Sequence, residues 1–111
     1  MEGTTSFSFE IENPGRDLHG NKVTTVQCHG RLVSEAAGKI KEVVKPLIPQ
    51  GGRIVVDLSD VNYMDSSGLG TLVGLKASAI HQGLCILEFV NMTPRILELV
   101  RITHLTQLFS K

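Results

Sequence analysis

The chain has 111 residues, enough for one domain with a modest core, and 41% are hydrophobic and 20% charged, an ordinary balance for a globular protein. Eleven basic and 11 acidic residues cancel to a formal net charge of zero, and the basic ones run from Arg16 to Lys111 without a cluster, which disfavours nucleic-acid binding. No apolar run approaches the ~18 residues that cross a bilayer, and the start, MEGTTSFSFE, has neither the basic nor the apolar region of a signal peptide. The expected location is the cytoplasm, with no membrane partner. Aromatics make up 5% and Trp is absent, so the predicted core is aliphatic.

Ser6 to Glu12 alternates polar and apolar residues, the pattern of a half-buried edge strand. Asn13, Pro14 and Gly15 are expected to end it, leaving a long polar connection through Asn21. Lys22 to Leu32 reads as a second strand, with Gly30 marking a bend or close approach. Ser34 is expected to cap a helix whose apolar face is Ala36, Ala37, Ile40, Val43, Val44 and Leu47. Pro46 and Pro49 finish it, and Gly51 and Gly52 turn the chain. Arg53 to Leu58, with Ile54, Val55 and Val56 in succession, predicts a strand buried on both faces. A loop from Ser59 to Asp65 leads to a second helix over about Ser66 to His81. Leu84 to Val90 is another buried strand. Thr93 and Pro94 open a third helix, followed by a tail in which Leu105, Leu108 and Phe109 tuck onto the core. Strand–helix–strand units of this kind give parallel pairing by right-handed crossovers. The fold class is therefore a single α/β domain with a mixed sheet. Cys28 and Cys85 each fall in an apolar strand run and are expected to be buried free thiols.

The second helix has an unusual composition. Between Ser66 and His81 the only charged residue is Lys76, and Gly70 and Gly74 sit four apart. Glycine inside a helix costs up to ~1 kcal/mol relative to alanine, so two of them need a reason. The helix packs closely on the sheet, or a charge-poor outer face meets a partner, and the two can hold together on opposite faces.

The junction before that helix, Asp65-Ser66-Ser67-Gly68-Leu69-Gly70, carries the candidate chemistry. A nucleophile elbow, G-x-S-x-G, is absent and no histidine has an evident role as base, so serine hydrolysis is disfavoured. The glycines are not followed by the lysine of a phosphate-binding loop. The four histidines and two cysteines are scattered, so neither a metal nor another cofactor is expected. A covalent phosphate on serine asks less of this chain, because a partner kinase brings the catalytic groups. At a helix start the added charge of about −1.5 to −2 is tolerated by the dipole and can repel a docked partner. The simpler role is helix capping by Asp65 or Ser66, the commonest use of such residues, and the residues alone leave capping ahead.

The stretch from about Val23 to Phe109 resembles the STAS domain family, and within it the bacterial anti-sigma factor antagonists. The resemblance lies in Gly30-Arg31-Leu32, the V-D-L-S-x-V segment, D-S-S-G-L-G and the turn before Pro94, with Asp65 to Gly70 the most specific part. It implies one STAS domain over 1–111, with 1–21 an edge strand and polar loop and 22–111 the core. It also implies partner switching. The unphosphorylated antagonist binds an anti-sigma factor that is also a serine kinase, is phosphorylated with the partner's ATP, lets go, and is reset by a phosphatase of the PP2C type. Carried over, the acceptor is Ser66, with Ser67 a secondary candidate. Asp65, Gly68, Leu69 and Gly70 form the motif, and the docking surface includes Leu32, Val33, Ser34, Asp65, Ser66 and Ser67. The chain itself would not be an enzyme. An alternative within the same resemblance is an adaptor module of a transporter or lipid-trafficking complex, though such modules often lose the serine kept here. Val33 stands where relatives often carry an acidic residue, which bears on kinase specificity, and His104 stands where a glycine is often seen.

Overall fold

The computed structural model describes residues 7–106. In chain order it forms β1 (Ser8–Arg16), β2 (Lys22–Leu32), α1 (Ser34–Val44), a 3-10 segment (Lys45–Gln50), β3 (Gly52–Met64), α2 (Ser66–Gln82), β4 (Cys85–Val90) and α3 (Pro94–Ile102). Among the described residues the sheet has four strands in sequential order, with β1 antiparallel to β2 and the β2–β3 and β3–β4 pairs parallel. The mixed α/β sheet expected from the residue pattern is present. Ser6, Leu108 and Phe109, which the sequence places in the first strand and on the core, lie outside the described residues.

Register decides which side chains share a face. Val26 pairs with Val56 and Val56 with Phe89, while Ile54 pairs with Leu87, and all five are buried. Helix α1 lays Ala36, Ile40 and Val44 into the same core, at the i, i+4 spacing of one helical face. Helix α2 adds Leu69, Leu72, Leu75 and Ala79, and α3 adds Ile96 and Val100. Each Val, Leu or Ile among them gains about 1.5–3 kcal/mol by leaving water. On the opposite sheet face Thr25, Val55 and Glu88 stand in one row and are only half-buried. The expectation that β3 is covered on both faces is therefore corrected: its β-branched run alternates between the core and a more polar face.

Several boundaries differ from the sequence reading. Strand β1 does not stop at Asn13 but continues to Arg16 through a register irregularity between Glu12 and Gly15. The hairpin tip is short. Asp17 Oδ1 accepts from the backbone N–H of His19 and of Asn21, both at 2.9 Å, and Gly20 takes a φ of +80°. The Asn21 N–H in particular holds the Asp17 carboxyl below its ordinary range. Helix α1 ends at Val44, and Pro46 and Pro49 lie in the 3-10 segment rather than beyond a longer helix. The expected loop from Ser59 onward is strand: β3 pairs with β2 as far as Leu32 with Met64. Ser34 is not the cap of α1. Val33 holds that position and no side chain closes it, so Ser34 is the first helical residue.

Gly52 explains how β3 begins beside β2. Its φ is +78°, and a Cβ there would meet the Lys22 carbonyl oxygen at 2.6 Å. Cys28 is buried and free, with burial and then the nearby Asp57 carboxylate pushing its thiol up to about 12. Cys85 is also free but only half-buried, less enclosed than its strand pattern suggests.

Candidate functional site

Strand β3 delivers the chain directly to the helix that carries the motif. Asp65 is the N-cap of α2, in extended conformation, and its Oδ1 accepts from the Gly68 N–H at 2.9 Å. This bond satisfies one of the orphan donors of the first turn. The cap is therefore Asp65 and not Ser66. Ser66 and Ser67 are the first two helical residues, and both are exposed. Gly68 and Leu69, the next two, are buried.

The burial of Gly68 has a specific cause. A Cβ at this position would lie 2.1 Å from the Leu32 carbonyl oxygen and 3.0 Å from its carbon. The start of α2 thus rests on the end of β2 at a distance that only glycine allows. The same Leu32 oxygen accepts from the Asp65 N–H at 3.4 Å. Beside this contact the Arg31 guanidinium stacks over the Tyr63 ring, 4.8 Å from its centroid, and joins the ends of β2 and β3.

The residues expected to dock a partner divide accordingly. The Leu32 side chain is fully buried, so it presents no surface, and its contribution is the backbone carbonyl. Val33 is half-buried, and its carbonyl accepts from Ala36 and Ala37 at 2.8 and 3.0 Å. Ser34 is exposed, and with Ser67 it lines one groove between α1 and α2. Asp65 is half-buried by its capping role. Ser34, Ser66 and Ser67 therefore form the accessible surface, and Leu32, Gly68 and Leu69 form its support.

Gly70 and Gly74 behave unlike Gly68. Both are exposed, and an added Cβ would meet nothing within 4 Å at either one. Close packing on the sheet does not account for them. They lie in the α1–α2 groove, whose volume is about 510 Å³ and whose other wall carries Lys41 and Lys45. The groove escaped the sequence reading, although the Gly70–Gly74 spacing was its signal.

A second cluster was not foreseen. His29 on β2 approaches Asp60 Oδ2 of β3 through Nδ1 at 2.7 Å and Glu10 Oε1 of β1 through Nε2 at 3.4 Å. The Asp60 hydrogen bond is the main influence raising the His29 pKa, against a smaller opposing effect of burial. Nearby Asp57 is pushed upward by burial, but the N–H of Ser59 and the Asn91 amide outweigh that and leave it lowered. Among the described residues no histidine is hydrogen-bonded to Ser66 or Ser67, and no group of three His, Cys, Asp or Glu side chains is placed to hold a metal. No helix among them is long and apolar enough to cross a membrane.

The site thus combines a capped helix start, an exposed serine pair and a glycine seated on the end of β2. The family model described as "Mlab, STAS domain" matches residues 17–110, and the chain belongs to the STAS domain family. It is 36% identical over 80 residues to the anti-sigma-B factor antagonist of Bacillus subtilis strain 168, covering 72% of each chain. It is also 36% identical over 89 residues to the anti-sigma-B factor antagonist of Staphylococcus aureus strain NCTC 8325, covering 79% of this chain and 82% of the other. Among solved structures, an anti-sigma factor antagonist from Mycobacterium paratuberculosis superposes with a TM-score of 0.73 at 20% identity, over 98% of this chain and 87% of that one.

Proposed function

We propose that this chain is an anti-sigma factor antagonist that works by partner switching, with Ser66 as its phosphate acceptor. The observation that carries the proposal is the position of Ser66: exposed, first in α2, and spared from capping because Asp65 supplies the cap. The names of its 36%-identical relatives support the same reading. The partner is an anti-sigma factor with serine kinase activity, and this chain is the substrate and regulator, not the enzyme. The setting is the cytoplasm, where the partner's ATP is at hand.

In the proposed step the Ser66 Oγ attacks the γ-phosphorus of ATP bound to the partner. The new O–P bond forms as the bond to the β,γ-bridging oxygen breaks, ADP leaves, and the hydroxyl proton passes to a base of the kinase. The product carries about −1.5 to −2 charges at the positive end of α2, where the helix dipole accommodates it. Fold stability is thereby preserved while the docking surface turns strongly anionic, with the Asp65 carboxylate adding to the repulsion. Ser67, second in α2 and lining the groove, is the secondary candidate. A PP2C-type phosphatase returns the hydroxyl and resets the cycle.

The test is to incubate the protein with ATP and each purified anti-sigma kinase of its own cell and to map phosphate by mass spectrometry. The expected result is phosphate on Ser66, abolished in Ser66→Ala. Ser66→Asp should weaken partner binding with a melting temperature close to that of the wild type. Absence of phosphate with every such kinase would overturn the acceptor assignment, and tight binding by Ser66→Asp would overturn the repulsion step.

A further inference from the structure

We infer that the groove between α1 and α2 is the seat of an acidic helical segment of the anti-sigma partner, extending the docking surface from Ser67 along the length of α2. The inference rests on the antagonist reading and names the chemistry of the partner's contact.

Three observations carry it. First, α2 keeps Gly70 and Gly74 in its interior although glycine is less favourable there than alanine, and among the described residues no atom would lie within 4 Å of an added Cβ at either one. The missing side chains leave a shallow floor, which lets a third helix lie close against both walls. Second, the groove is one-sided in charge. Lys41 and Lys45 line it, no carboxylate does, and among the described residues neither lysine is ion-paired. Glu42, close to them along the chain, does not line the groove but shares a second surface depression with both lysines. Third, α2 itself contributes no negative charge. It has no acidic residue from Ser66 to Gln82, and its one lysine, Lys76, turns away to donate to the Leu87 carbonyl. The positive end of its dipole lies at the Ser67 end of the same groove.

An occupant complementary to this surface brings carboxylates to Lys41 and Lys45 and a smooth small-residue face to Gly70 and Gly74. Charge of this kind raises the association rate and fixes register. A phosphate on Ser66 then places negative charge at the mouth of a groove already filled by an acidic segment. That arrangement explains how one modification at the end of α2 can release a contact along its whole length.

The test measures binding of the purified unphosphorylated protein to each purified anti-sigma factor of its cell, at low and high salt. Lys41→Glu combined with Lys45→Glu is expected to weaken binding about tenfold or more and to remove most of its salt dependence. Gly74→Leu fills the groove and is expected to weaken binding about tenfold, with a melting temperature no lower than that of the wild type. That pairing separates a blocked groove from a damaged fold. Lys39→Glu makes the same charge change on α1 outside the groove and should stay within about twofold. Wild-type binding by the groove variants, with Ser66 still accepting phosphate, would overturn the groove and leave the antagonist reading standing. Failure of the wild-type protein to bind any of these factors would overturn both.

Discussion

Asp65 shows how much one side chain can settle. Its carboxylate closes the first turn of α2 through the Gly68 N–H and leaves the Ser66 hydroxyl free. Asp65→Ala is expected to lower stability by about 1 kcal/mol, the usual loss for an N-cap, with Asp65→Asn close to neutral. Urea denaturation of the three proteins checks this, and equal midpoints would show that the cap is dispensable. The cap was legible from an acidic residue just before a helical pattern, although Ser66 was an equally good candidate on composition. Ser34 misled for the same reason. A serine before an apolar helical pattern is normally a cap, but β2 runs on to Leu32, and Val33 fills the extended position that a cap requires. The burial of Leu32 was legible only in part, since the family motif placed it near the site but did not say that its carbonyl, and not its side chain, does the work.

Helix α2 carries three glycines that look alike in the sequence and differ in space. Gly68 is pressed against the Leu32 carbonyl, whereas Gly70 and Gly74 face open solvent. An alanine at Gly68 puts its Cβ into backbone that cannot rotate away, so Gly68→Ala is expected to cost about 1–3 kcal/mol. It should also tilt the start of α2 and slow phosphate transfer to Ser66. A denaturation midpoint equal to that of the wild type would show that the contact relaxes freely. The helix itself was readable from its small and apolar residues, and its observed end lies one residue past the predicted one. Which glycine meets what was not readable, because contacts across elements depend on where β2 ends. Strand β3 makes the same point. Ser59, Asp60 and Asn62 are exposed and polar, the composition of a loop, yet the strand runs through them: Asp60, Val61 and Tyr63 pair with β2, and Ser59 and Asn62 fall at irregularities in the register. Tertiary pairing outweighs local propensity there.

At the scale of the whole molecule, His29 ties three strands together by reaching Glu10 on β1 and Asp60 on β3. Its raised pKa has a definite consequence for stability. The imidazolium is favoured in the folded state, so its contribution is fully present below the unfolded pKa of about 6.5 and is lost as pH rises through the folded value. The melting temperature should therefore fall modestly from about pH 6 upward, less so in high salt because both carboxylates are exposed. His29→Gln should flatten that part of the curve. An unchanged pH profile in the variant would show that the cluster contributes nothing to stability. This cluster was beyond the sequence, since it depends on a cross-strand register that alternation alone does not fix. The order of strands and helices was legible because their hydrophobic periods are long and clear. The continuous path of β3 into α2 has one more implication. A strand of 13 residues leads straight to Ser66, the proposed acceptor, which opens a helix seated on the end of β2. A short excised peptide bearing D-S-S-G-L-G would keep the letters and lose that presentation. Under the antagonist reading, a kinase acting at Ser66 is expected to phosphorylate the folded protein far better than that peptide, a difference that a direct comparison of the two substrates checks.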